Sequence, residues 1–117
     1  VIKEFPTGLA TVNSIRSLLV QLRNHDDFVP DLLIVDYLEL MRPTREGMHE
    51  YQAQQRVAEE LRGLAMEMKC LVWTATQTKR QGRSVKLITD SELGDSYGKI
   101  RTCDFAISLC FFVLFVM

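Results

Sequence analysis

Two residues of this chain stand where chemistry is commonly done. Asp36 closes the run LLIVD at residues 32–36, and Gln77 closes CLVWTATQ at residues 70–77. Each follows a stretch of branched and aromatic apolar residues of strand length. In an open parallel sheet, ligands bind beyond the carboxyl ends of the strands, where loops and helix termini converge. A carboxylate there can hold Mg²⁺ through the ion's waters, and an amide on a neighbouring strand can hydrogen-bond a phosphate oxygen or an attacking water. Together the two residues suggest nucleotide hydrolysis. The residues alone leave another reading open: acids also end buried strands simply because the strand end meets water.

A second constellation follows Gln77. The loop KRQGRSVK places Lys79, Arg80, Arg83 and Lys86 within eight residues, in a chain whose net charge is only -1. Such a cluster can meet the phosphates of a nucleic acid. No aromatic residue is interleaved for base stacking, so a solvated basic loop is the alternative. Arg42 and Arg45 carry a weaker case. His25 and His49 are expected in polar loops without partners at ligand spacing, which gives no reason to expect zinc. The six glycines, at 8, 47, 63, 82, 94 and 98, nowhere approach the GxxxxGK[ST] spacing that cradles a triphosphate.

The elements that must position these residues can be read from periodicity. VIKEF is expected as a short strand closed by Pro6 and Gly8. Thr11 then caps a helix with Ile15, Leu18, Leu19 and Leu22 at helical spacing, which NHDDFVPD ends. LLIVDY has no polar alternation, the mark of a strand covered on both faces, and CLVWTAT is expected to be a second such strand. Between them RPTREGMHE is a polar loop. A helix follows from about Glu50 to Lys69, with Val57, Leu61, Leu64, Ala65 and Met68 on one face and Arg56, Glu59 and Arg62 on the other. DSELGDSYGKIRT is expected to be irregular and CDFAISLCFF a third strand. Strand and helix alternate, so the class is α/β with a mainly parallel sheet flanked by helices.

Composition bounds the rest. The 117 residues are 47% hydrophobic, enough for the core of one domain or of a piece of one. Lys and Arg number 14 against 15 Asp and Glu, so nucleic-acid binding must be local rather than global. Cys70, Cys103 and Cys110 show no CxxC spacing and sit in apolar stretches, as expected of reduced, buried thiols in a cytosolic setting. The apolar C-terminal stretch is thirteen residues, short of the roughly 20 that a membrane-spanning helix needs. No signal peptide opens the chain, and its start without Met leads us to expect part of a longer protein.

LLIVDYLELM, the helix QQRVAEELRGLAMEM, VWTATQTKR and SELGDSYGKIRTCDFAISL follow one another in an order and spacing that resembles the RecA-like motor domain of DnaB-type replicative helicases, a family of P-loop NTPases. The T-even bacteriophage branch is the part of the family they most resemble. The match runs over about residues 1–110, while the tail 111–117, FFVLFVM, departs from the family pattern, as a truncated or altered reading frame would. The resemblance implies that Asp36 is the Walker B acid, ordering the water shell of Mg²⁺, and that Gln77 is the sensor glutamine contacting the γ-phosphate of ATP. It implies that loops 42–50 and 78–90 face the channel of a homo-hexameric ring on single-stranded DNA, with Lys79, Arg80, Arg83 and Lys86 as DNA contacts.

The resemblance further implies ATP-driven 5′ to 3′ unwinding in the bacterial host's cytoplasm, with a primase and a helicase loader as further partners and no membrane. Ser96 and Asp104 also fall on the family pattern, Asp104 as a residue orienting its turn. Gly94 replaces the family's arginine. The phosphate loop and the activating glutamate fall upstream of residue 1 in the family, and the arginine finger falls downstream. This chain would then be the later part of a motor domain. Two other readings stand beside it: another RecA-like ATPase, such as a recombinase paralogue or clock-type ATPase, and a non-catalytic DNA-binding or interaction module.

Overall fold

Thr11 starts the first helix by closing its end on itself. In a computed structural model that describes residues 1–44, 47, 49–76 and 97–107, the Thr11 hydroxyl accepts from the Ser14 amide at 3.1 Å and the Ser14 hydroxyl accepts from the Thr11 amide at 2.9 Å. This reciprocal capping box satisfies two amides that a helix start leaves open. Helix α1 spans Val12–Asp26 and stops at Asp27, whose left-handed backbone (φ 51°) lets its amide bond the Leu22 carbonyl. Strand β1 (Leu32–Val35) follows, then a 3-10 turn (Leu38–Leu40), helix α2 (Glu50–Met68), strand β2 (Leu71–Thr74) and a short helix α3 (Tyr97–Thr102). His25 therefore lies in the last turn of α1 rather than in a loop.

β1 and β2 are parallel neighbours, with Leu32 opposite Leu71 and Val35 opposite Thr74. The α2 crossover between them is what a parallel pair requires. Alternation then sorts the strand residues. Leu33, Val35 and Val72 face a core built from Val12, Ile15 and Leu19 of α1, Leu38 and Met41, and Val57, Ala58, Leu61 and Leu64 of α2. Both long helices thus lie on one face of the sheet. Leu64, Val12 and Val57 are the large side chains withdrawn most fully from solvent.

The other face of the sheet differs from expectation. Leu32, Ile34, Leu71 and Trp73 are 46%, 67%, 69% and 57% exposed, so neither strand is covered on both sides by the described residues. Continuous apolar runs signal two-sided burial only where the chain supplies two covering layers, and both described helices of any length pack on one. Residues 1–5 form no strand; Ile2 is 96% exposed and finds no sheet edge to join. Tyr97–Thr102, expected to be irregular, is helical, because Gly98 and Lys99 are buried where α3 packs against α2. Residues 103–107 of the expected third strand take no regular form, and its remainder lies outside the described residues. Among the described residues no helix is long and apolar enough to cross a membrane.

Candidate functional site at the strand carboxyl edge

Asp36 leaves the carboxyl end of β1 and is exposed, and Ala75 and Thr76 leave the same end of β2. The register that pairs Val35 with Thr74 puts both exits side by side. The Thr74 hydroxyl donates to the Val35 carbonyl at 2.9 Å, and the Leu38 amide donates to the Ala75 carbonyl at 3.3 Å, so the two segments remain joined past the ladder. Among the described residues no side chain hydrogen-bonds the Asp36 carboxylate. Gln77 is the next residue after Thr76 but lies outside the described residues, as do Arg45, Lys79, Arg80, Arg83, Lys86, Ser96 and Cys110. Arg42 is exposed and is tied by its backbone to Ala10 (2.8 Å).

Next to this edge sits a polar cluster that sequence reasoning missed. Glu39, in the 3-10 turn three residues after Asp36, accepts from Lys99 Nζ at 2.7 Å and from the Thr76 hydroxyl. Lys99 Nζ also donates to Thr76 Oγ1 at 3.1 Å. Burial pushes the Glu39 carboxyl up, but hydrogen bonds from Lys99 and Thr76 and the Lys99 charge outweigh it and hold the group below the usual carboxylate range. The available signal was Glu39 itself, an acid flanked by Leu38 and Leu40 in an otherwise apolar stretch. Its partner, 60 residues away in sequence, had none.

Asp104 lies in the turn that follows α3 and is bound from α2. Its Oδ1 accepts from Arg62 of α2 at 2.7 Å, and the same guanidinium donates to the Thr102 carbonyl at 2.6 Å, clamping the end of α3 to α2. Arg62, on the polar face of α2, is thus a tether. Cys70 is buried as expected, and burial pushes its thiol up. Cys103 is an exposed residue, contrary to expectation, although its sulfur bonds the Lys99 carbonyl at 3.4 Å. Burial of the sulfur and the Asp104 carboxylate push its pKa up against the opposing Arg62 charge. A shallow groove of about 340 Å³ between α1 and α2 shares none of the strand-edge residues. Arg16 and Arg56 on its wall pair with Glu67 and with Glu59 and Glu60.

The strand edge fits a magnesium ion held through its waters. Among the described residues no three His, Cys, Asp or Glu side chains converge, so a dedicated protein cage is not on offer there, and Asp36 presents one solvent-facing carboxylate. Mg²⁺ is typically held by one or two carboxylates, with water and substrate phosphates completing the octahedron. Glu39 Oε1 is engaged by Lys99 and Thr76.

Comparison with known proteins adds independent findings. The family model of the DnaB-like helicase C terminal domain matches residues 2–102. The DnaB-like replicative helicase of Enterobacteria phage T4 is 36% identical over 112 residues, covering 93% of this chain and 24% of the phage protein. The chain thus spans about a quarter of that relative's length.

Proposed function

Since the chain belongs to the DnaB-like helicase C-terminal domain family, we propose that it forms part of the ATP-driven motor of a hexameric replicative helicase that moves along single-stranded DNA and unwinds duplex. The observation that carries this reading is the placement of Asp36, a solvent-facing acid just past β1, beside the exit of the parallel neighbour β2 that leads to Gln77. Mg²⁺, when bound with ATP, offsets phosphate charge as the γ-phosphoryl is transferred. Asp36 orders the ion's waters. Gln77 reads the γ-phosphate and passes its state to the loop carrying Lys79, Arg80, Arg83 and Lys86, which contacts DNA phosphates. The site works in the bacterial host's cytoplasm, with a primase and a loader as candidate partners.

The test is a pair of variants in the full-length protein. Asp36→Asn lowers metal-dependent hydrolysis itself. Gln77→Ala leaves nucleotide binding nearly intact while hydrolysis no longer responds to DNA, a loss in turnover rather than in KM. Full DNA-stimulated turnover and unwinding by Gln77→Ala would sink the sensor assignment, and unchanged hydrolysis by Asp36→Asn would sink the motor reading.

A further inference from the structure

Lys99 is the one charged side chain buried among the described residues, at 5% exposure. Its hydrogen bonds close a ring of three groups drawn from three places in the chain: Lys99 from α3, Glu39 from the turn after Asp36, and Thr76 from the exit of β2. Past the ladder, the backbone link between the two exits is Leu38 to Ala75 at 3.3 Å, at the weak end of the hydrogen-bond range. The side-chain ring is therefore a further tie across the edge beside the Thr74–Val35 bond. It is not arranged for maximal stability, since Glu39 Oε2 is buried without a partner among the described residues. Buried ion pairs contribute little net stability compared with apolar residues of the same size, and their best attested use is to select one arrangement.

The helix that brings Lys99 packs against α2 through the buried Gly98 and Lys99. Its clamp to α2 runs through Arg62 and Asp104, whose side chains are 45% and 84% exposed, and exposed ion pairs are weak. We propose that Lys99 is a positioning residue for the strand-edge site. By gripping Glu39 and Thr76 together it holds the backbone that carries Asp36 in register with the backbone that leads to Gln77. This rests on reading that edge as the nucleotide site.

The experiment uses the full-length protein with Lys99→Met, Thr76→Val and the double variant Lys99→Met/Glu39→Gln. The readouts are kcat and KM for ATP with and without single-stranded DNA, and the thermal midpoint. Lys99→Met and Thr76→Val are expected to lower DNA-stimulated kcat by about tenfold with KM for ATP within about twofold, because a small misplacement lowers turnover more than binding. The double variant, which removes the unpaired buried charge, regains the thermal midpoint lost in Lys99→Met but not the kcat. A structural role would restore both together, so wild-type kcat in the stability-restored double variant overturns the proposal. Thr76 is exposed, so Thr76→Val decides even if Lys99→Met fails to fold; full DNA-stimulated kcat there also overturns it. A wild-type protein without DNA-stimulated ATPase defeats the functional reading itself, which separates the two failures.

Discussion

At the scale of single residues, the Glu39–Lys99 pair makes a claim about pH. The folded state holds the Glu39 carboxyl below its usual range, so in the wild type its stabilising contribution is fully present above the ordinary Glu value, about 4.3. It fades as pH falls through the folded value. Lys99→Met removes a hydrogen bond and a charge that lower the Glu39 pKa, while burial and the Thr76 and backbone hydrogen bonds remain. The carboxyl of the variant therefore titrates above that of the wild type, and the penalty is largest at neutral pH and shrinks in acid. Breaking a buried pair costs roughly 3–5 kcal/mol. Glu39 retains 18% side-chain exposure, which puts the expected loss near the lower limit. Urea unfolding at pH 7 and pH 4 checks this: the gap between wild type and Lys99→Met should narrow at pH 4, and a constant or widening gap would exclude Glu39 as the titrating partner.

At the scale of elements, two helix features and one loop carry expectations. Leu64 is 0% exposed at the centre of the α2 face, so Leu64→Ala should lower stability by roughly 2–5 kcal/mol, as buried leucine truncations do. Thr11→Ala removes one half of the capping box and should cost about 1 kcal/mol. Denaturant midpoints that ranked Thr11→Ala as the more damaging would mean α1 rather than α2 organises the core. The loop 79–86 makes a different kind of claim. Each phosphate contact to a single strand steepens the plot of log affinity against log salt by about 0.7. Replacing Lys79 and Arg83 with alanine in the assembled protein should flatten it by about 1.4 per contacting subunit if both touch phosphates. An unchanged slope returns them to solvated surface charge and moves attention to Arg42 and Arg45.

At the scale of the whole molecule, the 117-residue sequence contains no GxxxxGK[ST] phosphate loop, so on the proposed reading it carries one side of a nucleotide site. Asp36 alone holds Mg²⁺ weakly, so equilibrium dialysis of this chain with Mg-ATP should show no saturable micromolar binding. Saturable binding would mean that the strand edge is complete as it stands. The open sheet face has a matching consequence. Leu32, Ile34, Leu71 and Trp73 form a contiguous exposed apolar surface, the kind that drives self-association. Ile34→Lys, which alters only that face, should shift the isolated chain toward monomer in sedimentation, and a sedimentation profile that it leaves unchanged would remove this face from the cause.

Read without coordinates, the chain already determined α1 and α2, because 3.6-residue periodicity and a threonine cap are local signals that tertiary contacts reinforced at Ile15, Leu19, Val57, Leu61 and Leu64. It also pointed to Asp36 and the approach to Gln77 as the ends of two neighbouring or near-neighbouring strands, since a helix of nineteen residues between two apolar runs is the connection a parallel pair needs, and the structure makes them adjacent. Only tertiary structure decided which face of those strands is open, because an apolar run cannot report whether one covering layer or two are supplied. Tertiary structure alone likewise turned Tyr97–Thr102 into a helix, since the burial of Gly98 and Lys99 against α2 overrides a locally weak preference. The joining of Glu39 to Thr76 and Lys99 is of the same kind: an ion pair across 60 residues leaves no periodicity or spacing to read, and appears only when three separate segments fold to one edge.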